Sequence, residues 1–190
     1  HGDATIDAGA GSDSVSINGH GDIVVSMGFG SNNITVGKQA TGHVSINTDS
    51  INGESNFLHL EEFIWKDGYG NDIPYWDMMP DYDGSNERRG FGYVKSTDGT
   101  NGTLVLEDSS GFRGGGITVE VENQLEYDTS LGKWVLSDEG FKTINAANFF
   151  ASLILGSDFE EGDALFSNGS GYHHEVMVGG KGADVFTLLG

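Results

Sequence analysis

His1-Gly2-Asp3-Ala4-Thr5-Ile6-Asp7-Ala8-Gly9-Ala10-Gly11-Ser12-Asp13-Ser14-Val15-Ser16-Ile17-Asn18 is followed by Gly19 and then by His20-Gly21-Asp22-Ile23-Val24-Val25-Ser26-Met27-Gly28-Phe29-Gly30-Ser31-Asn32-Asn33-Ile34-Thr35-Val36-Gly37, and the second run lies over the first. Gly2, Gly11, Gly21 and Gly30 recur at spacings of 9, 10 and 9. Between the glycines sit short alternating runs, Val15-Ser16-Ile17, Ile34-Thr35-Val36 and Val44-Ser45-Ile46, and the same alternation returns at Val176-Met177-Val178 and Phe186-Thr187-Leu188. Each reads as a half-buried strand of period two. Glycine turns joining such strands predict a mainly β chain.

A second stretch gives these turns a chemical meaning. Gly179-Gly180-Lys181-Gly182-Ala183-Asp184-Val185-Phe186-Thr187 fits the nonapeptide G-G-x-G-x-D-x-U-x at every specified position. Glycine half-turns let backbone carbonyls converge on an ion, the Asp adds a carboxylate, and the apolar U residue enters a thin core. Calcium takes six to eight such oxygen ligands. These residues resemble the repeats-in-toxin (RTX) family over roughly residues 1–50 and 175–190. The resemblance implies a parallel β-roll with several Ca²⁺ ions in its turns. Carried over residue by residue, it makes Gly9, Gly11, Asp13, Asp22, Gly30, Asn32, Gly180, Gly182 and Asp184 ligands. The departures are Ala8 and Met27 in place of the first Gly, Asn32 in place of the Asp, and a turn at 18–22 one residue short.

Composition narrows the function classes. With 29 acidic against 9 basic residues the net charge is −20, so nucleic acid and anionic membrane are poor partners. The chain has no Cys, which rules out a disulfide framework or a thiolate metal site. No apolar run approaches the 18 residues of a membrane span. The first residues carry no signal-peptide pattern. RTX proteins leave through a type I exporter that reads a C-terminal signal; that signal is not seen, so the chain reads as a piece of a longer one.

The organisation reads as a split one: RTX-like repeats over 1–55, an inserted β-rich, sandwich-like domain over 56–172, and a closing repeat over 173–190. The insertion holds 21 of the 29 acids (residues 56–172) and every Trp, Tyr and Arg, so ligand chemistry is expected there. Thr103–Glu107 and Ile117–Val121 read as strands. Gln124–Tyr127 and Lys133–Leu136 flank Thr129-Ser130-Leu131-Gly132, a hairpin turn. One short helix is expected over 145–155, with Asn145 as cap, Ala146, Ala147 and Ala151 favouring it, and Gly156 as its stop.

The segment from Trp65 to Tyr93 carries the densest chemistry. Asp81, Asp83, Ser85 and Glu87 alternate around Gly84, as carboxylates do in a calcium loop, although the EF-hand pattern itself is missing. The stretch is either an ion site of another geometry or a solvated acidic loop. Asp67 and Asp72 form a weaker pair of the same kind. Tyr69, Tyr75, Trp76 and Tyr82 either line a ligand pocket or close the core beneath a loop. Arg113, in Gly111-Phe112-Arg113-Gly114-Gly115-Gly116, either receives a carboxylate in a bidentate fork or pairs with one of the many acids. His173 and His174 project to opposite faces of a strand, and no zinc motif surrounds them. Nucleophile-elbow and P-loop patterns are missing, so catalysis is not expected.

A β-rich ligand domain interrupting RTX repeats resembles the distal region of giant Gram-negative RTX adhesins, in particular their calcium-dependent peptide-binding domain as found in ice-binding adhesins. The resemblance implies a monomeric module of a larger secreted protein, tethered to the outer surface of the bacterium and serving adhesion to cells or biofilm. Its loop-bound Ca²⁺ would take the C-terminal carboxylate of a peptide on a host or partner cell. The alternatives are a calcium-dependent lectin of the same context, an RTX-associated polysaccharide enzyme fragment, and a ligand-free extender.

Overall fold

The offset of the opening repeat is also a sheet register. In the computed structural model, strand β1 (Ala4–Asp7) pairs in parallel with β3 (His20–Ser26), Ala4 opposite Ile23. Strand β2 (Ser14–Ile17) pairs in parallel with β4 (Asn33–Val36), Ser14 opposite Asn33. Both steps equal the 19 residues that separate His1 from His20 in the sequence. The structure describes residues 2–48, 54, 56–61, 92–96, 98–108, 115–137, 140–141, 143–147, 151–155, 164–168, 174–179 and 183–189.

The next strands extend both ladders. Strand β5 (Thr41–Asn47) follows β3 in the first sheet, and β6 (Phe57–Leu60) follows β4 in the second, both in parallel. Successive strands therefore alternate between two sheets. Three further strands widen the first sheet: β7 (Gly92–Lys95), β8 (Asn101–Asp108) and β9 (Ile117–Asp128). Strand β9 pairs in parallel with β5, Val44 opposite Val119, and antiparallel with β8, which pairs with β7. Strand β10 (Lys133–Leu136) folds back on the far half of β9.

In the second sheet β11 (Thr143–Ala147) joins β6 in parallel, followed by β12 (Ala151–Leu155) and β14 (His174–Val178). A separate parallel pair joins β13 (Ala164–Asn168) to β15 (Val185–Leu189). The pairing thus crosses the 55/56 division read from the sequence, because β6, β9 and β11 continue the ladders that β1–β5 begin.

One apolar core lies between the two sheets. Ile23, Val44, Val119 and Leu106 form one row across the first sheet, and Val25, Ile46, Val121 and Leu104 the next. Ile34, Leu58 and Ile144 face them from the second. Val105, between Leu104 and Leu106, is fully buried, whereas Val24, between Ile23 and Val25, is 48% exposed. Period-two burial of this kind is what the alternating runs dictate.

Two local features depart from simple alternation. The register of β8 against β9 slips between Gly102 and Leu104, and Asn123 takes φ 53° there. Such a bulge bends the strand, and it lets β9 pair with β5 at one end and β10 at the other. The helix expected over 145–155 is not formed. Residues 143–147 and 151–155 are strands, antiparallel to one another, with β6 and β14 on their outer flanks. Alanine-rich propensity is worth tenths of a kcal/mol per residue, and ladder bonds on both sides of the pair override it.

Candidate cation-binding turns

The turns joining β1 to β2 and β3 to β4 stack on each other at the same edge of the two sheets. In the first, Gly9 has φ 80° and Gly11 φ 143°; in the second, Gly28 has φ 66° and Gly30 φ 121°. The Gly11 N–H donates to Phe29 O at 2.9 Å, and the Asn33 N–H donates to Asp13 O at 2.8 Å. The Gly9 and Gly11 carbonyls lie so close to Gly28 and Gly30 that a Cβ on either residue of the second turn would overlap them. Glycine is required here both by conformation and by space.

Asp13, Asn32 and Asn56 form a ladder along this edge. The Asp13 N–H donates to Asn32 Oδ1 at 3.0 Å, and the Asn32 N–H donates to Asn56 Oδ1 at 2.8 Å. Asn32 is 1% exposed and Asn56 fully buried. The Asn32 carboxamide also turns back into its own turn, where Nδ2 donates to Gly28 O at 3.3 Å and Gly30 O at 3.2 Å. Two carbonyl oxygens of one half-turn thus meet at a single donor.

The first turn has the same carbonyls and a different side chain. By the 19-residue register, Gly9, Gly11 and Asp13 take the places of Gly28, Gly30 and Asn32. A carboxylate has no N–H to offer its neighbouring carbonyls. Asp13 Oδ2 is buried with no hydrogen-bond partner, and it lies 3.8 Å from where a Cβ on Gly11 would stand. A buried carboxylate oxygen without a donor is costly; a hard cation shared with the two carbonyls satisfies all three oxygens. The residues of the first turn fit calcium. Asn47 Oδ1, at the end of β5, is the other such buried oxygen among the described residues.

The remaining expected ligands are dispersed. Asp22 stands exposed in β3, its N–H donating to Asp3 Oδ1 at 3.2 Å, away from the Gly9–Asp13 turn. Asp184 immediately precedes β15, its carboxylate packed where a Cβ on Gly179 would fall. Gly180 and Gly182 lie outside the described residues, as do Asp67, Asp72, Asp81, Asp83, Glu87, Tyr69, Tyr75, Trp76, Tyr82 and Arg113. Among the described residues no three Asp, Glu or His side chains gather as a metal-ligand set, so an ion in the first turn would have to lean on carbonyls.

Two members of the turns escaped sequence reading. Gly28 could have been found as the repeat of Gly9, 19 residues on. Asn56 could not, because it follows Asn32 by 24 residues where the repeat predicts 19. No protein-family model matches this chain, and neither a curated protein nor a solved structure does.

Proposed function

We propose that this chain is a calcium-dependent ligand-binding module of a bacterial surface adhesin of the RTX type, in which a two-sheet parallel β-roll ordered by Ca²⁺ carries a ligand-binding excursion. The observation that carries the reading is the first turn. The Gly9 and Gly11 carbonyls sit in a half-turn with the Asp13 carboxylate, one oxygen of which is buried and unsatisfied, while Asp7 Oδ1 accepts the Gly9 N–H at 3.1 Å. Those groups would hold the ion, which would supply charge neutralisation at an edge of a −20 chain.

The ligand-binding part of the reading rests on the chain between β6 and β9. This connection includes β7 and β8, which pair beside β9 in the first sheet, and its remaining residues carry the chemistry on which the reading rests. It contains the acidic stretch with Asp67, Asp72, Asp81, Asp83 and Glu87 and the aromatic residues Tyr69, Tyr75, Trp76 and Tyr82. A Ca²⁺ ion held there with an open coordination position selects a carboxylate, which Arg113 can also receive in a bidentate fork, and the aromatics read the preceding side chain.

The test is a panel of peptides with free C-termini, their C-terminal amides, and glycans, each applied to the immobilised protein with Ca²⁺ or with chelator. Free-acid peptides alone should bind, and only with Ca²⁺. Equal binding of amides, or binding of glycans alone, would remove the peptide reading, and retention in chelator would remove the ion from it.

A further inference from the structure

We infer that Asn32 is the residue that sets cation occupancy along this edge: its carboxamide closes the second turn internally, in the place where the first turn would take an ion. Nδ2 donates to both carbonyls of the half-turn, Gly28 O at 3.3 Å and Gly30 O at 3.2 Å. The same carboxamide is held from the other side, because Oδ1 accepts the Asp13 N–H at 3.0 Å and the Asn32 N–H is fixed by Asn56 Oδ1 at 2.8 Å. These partners leave no freedom to turn the amide over: Oδ1 already faces a donor and Nδ2 two acceptors.

A cation in the second turn would have to displace two N–H donors aimed at its own ligands. The residue is 1% exposed, so the displaced N–H groups would remain buried without acceptors. The second turn is therefore a cation-free copy of the first, and Gly30 and Asn32, expected from the repeat pattern to be ligands, hold each other. The register makes the comparison direct, since Asp13 and Asn32 precede the paired residues Ser14 and Asn33. One side chain, carboxylate or carboxamide, decides whether a turn requires an ion. The inference concerns the second turn and stands whether or not the first turn is loaded.

The experiment uses the whole chain and three variants, Asn32→Asp, Asn32→Ala and Asp13→Asn, with thermal unfolding in chelator and in Ca²⁺ and calorimetric counting of bound Ca²⁺. Asn32→Asp should melt well below the wild type in chelator, recover in Ca²⁺, and bind one ion more per chain. Asn32→Ala should lose stability in both conditions alike, with no ion gained. A wild type and an Asn32→Asp variant with equal ion counts and equal melting in chelator would overturn the inference. So would an Asn32→Asp chain that Ca²⁺ fails to rescue. Asp13→Asn tests the first turn separately: it should melt higher in chelator and bind one ion fewer. An unchanged count there refutes the calcium reading of Asp13 and leaves the Asn32 result standing.

Discussion

At the residue scale, the stacked turns depend on having no Cβ at two positions. Gly28 has φ 66° and Gly30 φ 121°, and each meets a carbonyl of the turn before it. The left-handed conformation alone costs an L-residue about 1–2 kcal/mol, before any overlap with Gly9 O is counted. Gly28→Ala should therefore destabilise by at least ~1–2 kcal/mol, whereas Gly2→Ala, with open space around its Cβ, should change little. Chemical denaturation of the two variants decides this; equal midpoints would refute the stacking.

Asp98 supplies a residue-scale prediction in acid. Its Oδ1 accepts the N–H groups of Thr100 at 2.8 Å and Asn101 at 2.9 Å and the Ser96 hydroxyl at 3.3 Å. These bonds, the Thr100 N–H foremost, hold its pKa at about 2, below the ordinary 3.8. A depressed folded-state pKa means the contribution is whole above 3.8 and is lost as pH falls through about 2. The amide resonances of Thr100 and Asn101 should titrate with that midpoint and cease to do so in Asp98→Asn. Because Asp98 is fully exposed, the effect is local to the 96–101 turn.

At the element scale, the β9–β10 hairpin follows directly from its sequence. Asp128 Oδ1 accepts the Ser130 and Leu131 N–H groups at 2.8 and 3.1 Å, and Gly132 takes φ 66° to close the loop. The β9 bulge was not legible, and the partner that its Gln124 side chain takes lies 17 residues away. Buried Gln124 donates from Nε2 to Phe141 O at 3.1 Å and accepts the Phe141 N–H at 2.7 Å. Its side chain thereby pins the segment entering β11 to the bulge. Gln124→Ala leaves both backbone groups buried and unpaired, at about 1–3 kcal/mol each. Urea unfolding should show that loss, and a shift under ~0.5 kcal/mol, typical of surface sites, would mean water replaces the amide.

The same scale explains the 145–155 region. Local propensity there favours a helix, yet Ile144 is fully buried opposite Leu155 and beside Leu58. A strand gains ladder bonds on two flanks as well as that burial, and neither gain is visible within an eleven-residue window. Leu58, at the centre of this contact, should cost about 2–5 kcal/mol on truncation to Ala. Outward-facing Val24 should cost far less.

At the scale of the whole molecule, charge and ion binding act together. A net charge of −20 on 190 residues opposes compaction, and any salt relieves part of that repulsion. Ions bound in turns, as proposed, would add to this by mass action, about 2.7 kcal/mol at a hundredfold excess over Kd. Ca²⁺ should therefore raise the thermal midpoint more than NaCl of matched ionic strength. Equal shifts would reduce calcium's role to screening.

The sequence by itself determined the turns and strand registers of residues 2–36, whereas β5 joins β3 at an offset of 21. A repeat of 19 residues fixes both the glycine positions and the parallel register, because each neighbour in the ladder is the neighbouring repeat. It also determined the β9–β10 hairpin, whose turn chemistry is contained in a few adjacent residues. Tertiary structure alone decided the rest. Val44 meets Val119 and Leu58 meets Ile144 across long connections without a repeating period, and Asn56 joins the Asp13–Asn32 ladder at a broken interval. Pairing between distant segments is selected by the burial and backbone bonds that the assembled sheets offer, and those energies do not exist until the partners are in place.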